Sequence, residues 1–545
     1  MPLKMINGAE IMVKCLEEEG VEIIFGYPGA AICPFYDALL NSSIKHILVR
    51  QEQNAVHSAS GYARSVSKPG VCVATSGPGA TNMITGIATA YMDSIPIIAI
   101  TGQVRSDLIG RDVFQEADIT GACEPFVKHS YLVKKTEDLP RIFKEAFYIA
   151  TTGRPGPVLI DIPIDIQTNQ IEEFVYPEKA EIVGYKPRTE GHSRQIEKAV
   201  ELIRSASRPV ICAGGGVLTS GAKLKLVDFA MKTGIPVVST MMGIGVMPTE
   251  NKLYLGMLGS HGKRVANRAI HEADVILLCG ARVGDRAVAS PDQLSVRSKI
   301  IHIDIDPAEI GKNVSTDIPI VGDMKIVIGK LYDLIGDYHI PRLWEDTTER
   351  WRKELFRIPP QFEGCVEPRS FVARLSEMLP NKSILVADVG QNQIWCANNF
   401  HIKEGRFLTT GGMGTMGYSV PAAIGAKFAR PDREVVVVCG DGSFQMSMNE
   451  LGTIAQNHLN VKIIIMRNDR LGMVRELQKN FYHGRYSGVF LDEETPDFMK
   501  IAEAYHIPSA YATSNAEAEQ YAKEMINSDK PFLLVCHVSP DTPSI

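Results

Sequence analysis

Asp441 and Asn468 are the residues in this chain best placed to do chemistry. Asp441 lies in Gly440-Asp441-Gly442, directly after the apolar run EVVVVC, and Asn468 follows a second apolar run, VKIIIM, 27 residues later. That gap holds one helix and one strand, so both residues fall at the carboxyl ends of parallel strands, where open α/β sheets bind ligands. One charged and one neutral oxygen, with flanking glycines that let backbone amides approach an anion, suit a magnesium ion shared with a diphosphate. A helix starting after Gly442 favours the same negative charge. Gly-Asp-Gly alone is a common turn; the strand before it and the spaced Asn468 point instead to a ligand site.

The elements that must hold this pair recur along the chain. Short β-branched runs ending near glycine alternate with helical stretches: VEIIFGYPGA, GVCVATSGPGATN, SIPIIAITGQ and GPVLIDIP in the first third; RPVICAGGG, IPVVSTMMG, ADVILLCGA and KIIHIDIDP in the middle; KSILVADVG, REVVVVCGDG, VKIIIMRND and PFLLVCHV in the last. Uninterrupted apolar runs of this length read as buried parallel strands, and their alternation with helices reads as α/β. Two polar, proline-containing stretches break the pattern, the second partly helical. The expected domains are 1–170, 190–336 and 368–545, each a doubly wound parallel sheet, with linkers at 171–189 and 337–367.

Composition narrows the function classes. The chain has 545 residues, a net charge of −6, 45% hydrophobic and 22% charged residues, which suits three globular domains. No basic stripe offers a nucleic-acid surface, and no apolar run is long enough to span a bilayer. The ten cysteines form no C-x-x-C pair and read as reduced, buried small hydrophobes. The amphipathic start, with early acids and no apolar h-region, reads as lacking a secretory signal. A soluble, cytoplasmic protein is expected.

A second acid stands out in IKHILVRQEQNAVHSASGYARS. Glu52 follows the strand HILV and precedes a helix expected from about Ala55.

GDGSFQM with an asparagine after the next strand resembles the signature of thiamine-diphosphate enzymes, and the segment around Glu52 resembles that family's H-E-Q-G-A, with Gln51 and Asn54 differing. The resemblance implies that Asp441, Asn468 and the carbonyl of Arg470 hold magnesium. It further implies that Glu52 hydrogen-bonds the aminopyrimidine and stabilises the imino tautomer that takes the thiazolium proton. Because the acid and the diphosphate site come from different chains in this family, it implies a homodimer or tetramer with its active site at the dimer interface.

FGYPGA, ATSGPGATN, DVFQEADI, GRPGPVLIDIP, HIDIDPAEIGKN and GGMGTMGYSVPAAIGA extend the resemblance over nearly the whole chain, and it is closest to the catalytic subunits of acetolactate synthases. That family condenses two 2-ketoacids with loss of carbon dioxide: pyruvate with pyruvate or with 2-ketobutyrate, toward branched-chain amino acids. A different lyase or ligase on the same scaffold, acting on another 2-keto compound or a diketone, is the alternative. By position, Gln115 and Phe114 match catalytic-pocket residues. Gln103, Val389, Gly390, Gln391, Asn392, Met416, Gly440, Gly442, Ser443, Met446, Gly472 and Met473 match thiamine-diphosphate contacts. Gly29, Ile164, Met473 and Leu477 match the substrate pocket. The middle third resembles the family's FAD domain, whose flavin has no redox role in the overall reaction; Arg154, Gly214, Gly215, Gly216, Thr240, Met241, Met242, Gly259, Ser260, His261, Gly280, Arg282, Asp285, Arg286, Asp304, Ile305 and Asp323 match FAD contacts. Family members often bind a small regulatory subunit, for which no residue here speaks.

Four departures stand out. Ile164 replaces a lysine, Asn392 a histidine, Arg467 an asparagine, and Leu477 the tryptophan that shapes the second ketoacid's pocket. Leu477 removes aromatic surface that bears on the preference for 2-ketobutyrate over pyruvate, and Ile164 removes a charge that bears on anion attraction at the channel.

Overall fold

The computed structural model describes residues 5–288, 294, 296–355, 360–491 and 495–545. Residues 356–359 of the expected second linker, including the first proline of its Pro-Pro pair, lie outside the described residues, as do the first four residues of the chain.

Three six-stranded parallel sheets follow one another. The first contains β2 (Ile23–Tyr27), β3 (Lys45–Leu48), β4 (Gly70–Ala74), β5 (Ile97–Gln103), β6 (His129–Leu132) and β7 (Pro157–Pro163), in the order β3-β2-β4-β5-β7-β6. A short antiparallel pair, β1 (Ile6–Asn7) with β8 (Gln170–Ile171), ties the start of the chain to the end of this unit. The second sheet contains β9 (Pro209–Ala213), β10 (Val237–Ser239), β11 (Tyr254–Met257), β12 (Val275–Cys279), β13 (Lys299–Asp304) and β14 (Ile318–Val321), in the order β11-β10-β9-β12-β13-β14. The third contains β15 (Ile384–Ala387), β16 (Arg406–Leu408), β17 (Val435–Gly440), β18 (Val461–Arg467), β19 (Ser509–Ala512) and β20 (Phe532–His537), in the order β16-β15-β17-β18-β20-β19.

The first and third sheets therefore share one strand order, 2-1-3-4-6-5 by position. The central sheet has the order 3-2-1-4-5-6 found in dinucleotide-binding folds. Central strands such as β5 and β7 are buried along their whole length, as both-face helix cover requires.

The outer units are clamped together. The helix Glu52–Val66 packs across the helix Ser419–Ala429, and both present their backbones at the crossing. A Cβ on Gly61 would stand 1.9 Å from the carbonyl oxygen of Ala422, and one on Gly425 would stand 1.8 Å from that of Ser58. Only glycine permits this approach.

Three local expectations are corrected. The helix after β3 begins at Glu52 rather than Ala55, because Glu450 of the third unit accepts hydrogen bonds from the Arg50 amide (2.8 Å) and from Asn54 Nδ2 (2.9 Å), drawing the first turn into place. The stretch after Gly442 is not one helix: Asp441–Gln445 is a short helix that already includes Asp441, and a 3₁₀ turn at Met448–Glu450 separates it from Leu451–Gln456. Of the ten cysteines, all free, Cys33 is exposed and Cys365 half-buried, so burial does not extend to every one.

Candidate active site

The carboxyl ends of β17 and β18 bring Asp441 and Asn468 together. One carboxylate oxygen of Asp441 accepts the backbone amides of Asn468 (3.1 Å) and Asp469 (2.6 Å), and the other accepts that of Gly442 (2.9 Å). Asp441 is 1% exposed, and burial raises its pKa to about 6 despite those amides. A buried carboxylate in that condition is poised for a cation. Asp469 takes a left-handed backbone (φ +54°) to turn the chain past the site. The Asn468 amide nitrogen donates to Gln391 Oε1 at 3.3 Å. Gly472 leaves room for this contact, since a Cβ there would meet Gln391 Oε1 at 2.1 Å.

The remaining third-unit candidates surround this pair. Val389, Gly390, Gln391 and Asn392 follow β15; Asn392 is buried, with its amide nitrogen on the carbonyls of Asp388 and Val438. Ser443 Oγ bonds the Gly440 amide at 3.1 Å. Met416 reaches to 3.8 Å from where a Gly442 Cβ would stand, and Met446 is 58% exposed. Arg467, at one of the departures, pairs with Asp469 at 2.9 Å.

Three acids that the sequence reading passed over brace this region. Asp388, wholly buried at the end of β15, accepts the amides of Val389, Gly417 and Ser419 and the Ser419 hydroxyl, fixing the loop that carries Met416. Asp93, from the first unit, accepts the Gly412 amide at 2.8 Å in the same loop. Glu450 is the third. Of the three, only Asp388 left a signal in the sequence, as an acid at the end of the apolar run SILVA.

The first unit gathers its candidates at its own carboxyl edge. Glu52 accepts a hydrogen bond from Asn82 Nδ2 at 2.9 Å. Gln115 has a left-handed backbone (φ +58°) and rests on Gly77, where a Cβ would come within 2.9 Å of the Gln115 Cα. Phe114 is 87% exposed. Glu116 staples this loop by accepting the amides of Gly110 and Val113, which hold its carboxyl below the usual range. Gln103, at the end of β5, donates both ways within the chain, to Asp161 (2.9 Å) and to the Ala117 carbonyl (2.8 Å), so its amide anchors the Phe114 loop. Burial pushes Asp161 up to about 7. Gly29 follows β2, and Ile164 starts the short helix after β7.

A cavity of about 740 Å³ runs between the three units. Its walls include Arg154, Gly215, Gly216, Thr240, Met241, Met242, His261, Gly280, Arg282, Asp285, Arg286, Asp304 and Ile305, together with Val389, Gly390, Met473 and Leu477. Gly214 and Gly216 pass so close to Gly280 that a Cβ on either would stand within 2.8 Å of its backbone. Gly259 and Ser260 lie beside this wall, with the Ser260 amide on the Arg286 carbonyl. Asp323 does not line the cavity; it caps the helix Met324–Leu334. Glu52, Phe114 and Gln115 do not line it either. A second cavity, about 560 Å³, opens beside Gly20–Ile23 at the amino end of β2, away from these residues. No helix among the described residues is long and apolar enough to cross a membrane.

The three units match the N-terminal TPP binding (residues 6–122), central (196–331) and C-terminal TPP binding (388–536) domains of thiamine pyrophosphate enzymes. The fold and the paired strand-end site thus define a thiamine pyrophosphate enzyme. The chain is 48% identical to a probable acetolactate synthase large subunit of Methanocaldococcus jannaschii, over 98% of this chain and 92% of that protein. It is 44% identical to an acetolactate synthase of Arthrospira platensis (99% and 95% covered) and 43% to the large subunit of Haemophilus influenzae (98% and 94%). The chain belongs to the acetolactate synthase family.

Proposed function

We propose that this chain is the catalytic subunit of a cytoplasmic acetolactate synthase, joining two pyruvates, or pyruvate and 2-ketobutyrate, with loss of carbon dioxide, in branched-chain amino-acid biosynthesis. The observation that carries the reading is the buried Asp441 carboxylate beside Asn468 at the ends of adjacent strands. These two, with the Arg470 carbonyl, suit an octahedral magnesium ion that also takes diphosphate oxygens, and the glycines flanking Asp441 let the same anion approach the backbone closely. Thiamine diphosphate supplies the carbanion-stabilising chemistry when bound. Glu52 would hold a proton for the aminopyrimidine and Met416 would support the cofactor beside it, while Gln103 fixes the loop that presents Phe114 and Gln115.

Three further parts of the proposal have separate support. The 3-2-1-4-5-6 sheet and the glycine contacts at Gly214, Gly216 and Gly280 favour FAD, held without a redox role, in the central cavity. An exposed Phe114, with Glu52 outside that cavity, favours a site completed by a second copy of the chain. A small regulatory subunit is the further partner. We take 1–170, 190–336 and 368–545 as its domains.

Purified protein supplied with thiamine diphosphate, magnesium and pyruvate should form acetolactate. Carbon dioxide release without acetolactate would overturn this in favour of a different carbon–carbon lyase or ligase. Leu477 and Ile164 give that second reading its footing, and product analysis over a panel of 2-ketoacids separates the two.

A further inference from the structure

Gln391 is 6% exposed, and its side-chain amide is committed on both ends. Nε2 donates to Glu476 (2.8 Å) and to the Thr542 carbonyl (3.1 Å), while Oε1 accepts from Asn468 Nδ2 (3.3 Å). A carboxylate and a carbonyl accept and cannot donate. Together they dictate which end of the Gln391 amide is nitrogen, and Gln391, with the Arg470 backbone amide that donates to Asn468 Oδ1 (3.1 Å), sets which end of the Asn468 amide is nitrogen. The polarity matters because Asn468 can meet a cation only with its oxygen. Were the Gln391 amide reversed, its nitrogen would face the Asn468 nitrogen, and Asn468 would have to lose either that contact or the Arg470 amide on its oxygen.

Glu476 controls both acceptors. Its other contacts are the Ser544 amide (3.1 Å) and hydroxyl (3.0 Å), which hold the segment that brings in Thr542. Thr542 and Ser544 are 3% and 2% exposed. Glu476 lies on the helix Gly472–Phe481, which also carries Met473 and Leu477.

We propose that Glu476 is a positioning residue that sets the polarity of the Asn468 amide through Gln391, and so tunes magnesium-dependent cofactor affinity. This rests on the reading of Asp441 and Asn468 as the metal clamp. The role belongs to hydrogen-bond polarity, not charge. In Glu476→Gln one oxygen still accepts from Gln391 and the Ser544 amide, and the new NH₂ donates to the Ser544 hydroxyl, which turns to accept. In Glu476→Ala both acceptors are released.

The test is the dissociation constant of thiamine diphosphate, titrated with and without magnesium by tryptophan fluorescence on the full-length protein, alongside apo melting temperature. Glu476→Ala should weaken magnesium-dependent binding about ten- to a hundredfold, the range for groups that orient a metal ligand. Glu476→Gln should stay within about threefold of wild type, as amide polarity is kept. Gln391→Leu should match Glu476→Ala, and the double variant should lose no more than either, because coupled residues are not additive. Wild-type affinity in Glu476→Ala, or a Glu476→Gln as weak as Glu476→Ala, overturns the proposal. If Glu476→Ala does not fold, unchanged affinity in Gln391→Leu overturns it equally. Asp441→Ala is the control: if it alone loses binding, only this inference fails, whereas full binding in Asp441→Ala removes the clamp itself.

Discussion

The first and third units have the same strand order, yet they present opposite kinds of site. In the third, the ends of β17 and β18 supply a closed arrangement: Asp441 is 1% exposed and satisfied by three backbone amides. In the first, the end of β3 supplies Glu52 and the loop after β5 supplies Phe114 and Gln115, with Phe114 87% exposed. One half is built by neighbouring strands of a single sheet, and the other is left open. A shared topology fixes where functional loops emerge, and the residues set on those loops decide what each half does.

Disabling the open half without touching the closed one has the largest expected consequence. Glu52→Gln should leave thiamine-diphosphate affinity unchanged and lower turnover about a hundred- to ten-thousandfold, the usual worth of a positioned proton-transfer group. Steady-state kinetics beside a binding titration checks it; wild-type turnover would remove Glu52 from the mechanism. The reciprocal change, Asp441→Ala, should weaken cofactor binding about a hundredfold in magnesium and make the remaining affinity indifferent to chelator. Unchanged affinity would mean that the closed half is not a metal clamp.

The first and third units pack together at the helix crossing, and a third change strains that contact. Gly425→Ala places a methyl 1.8 Å from the Ser58 carbonyl oxygen, so the two helices must separate. Overpacking of this kind costs about 1–3 kcal/mol, visible as a lower melting temperature. Because the crossing helix begins with Glu52, turnover should fall before cofactor affinity does. Loss of affinity first would place the strain on the wrong side.

The same crossing carries a pH dependence. His57 is fully buried there, edge-on to Tyr418 at 5.3 Å, and burial lowers its pKa to about 3. Its ordinary value is near 6.5, so the unfolded chain binds the proton more readily. The stability held by neutral His57 is therefore complete above about pH 6.5 and is lost as the pH falls toward 3, by about 1.4 kcal/mol per pH unit. Denaturation midpoints of wild type and His57→Phe between pH 7.5 and 5.5 should diverge, with the variant less sensitive to acid. Parallel curves would show that other groups govern the acid limb.

Much of this organisation was legible in the sequence, and what escaped has a physical pattern. The twelve apolar runs singled out along the chain became the four inner strands of each sheet, because strands covered on both faces are apolar throughout. The outer strands escaped that pattern: β6 (HSYL), β11 (YLGM), β14 (IPIV), β16 (RFL) and β19 (SAYA) are short, and most mix polarity; β3 showed only as the HILV before Glu52. Asp441 and Asn468 were readable because adjacent strands of one sheet bring their ends together. Asp93 and Glu450 were not, because each acts on a unit more than 300 residues away in sequence. No local spacing records such a contact.

The smallest expected effect bears on the wall that the open and closed halves share with the central unit. Leu477 and Met473 line the 740 Å³ cavity from the helix after β18, and Leu477 remains 37% exposed to it and to solvent. Introducing an aromatic side chain by Leu477→Trp adds apolar surface that need not bring a new hydrogen bond. A pocket that gains shape but no polar contact discriminates one methylene by only about 1–3 kcal/mol, and a half-exposed position realises the lower end of that range. The variant should therefore raise the product ratio of 2-ketobutyrate over pyruvate as second substrate by about tenfold or less, with cofactor affinity unmoved. Competition between the two ketoacids, read as the ratio of acetohydroxybutyrate to acetolactate, measures this. An unchanged ratio would move acceptor choice off the third unit and onto the open half, where Ile164 and Phe114 are the residues left to set it.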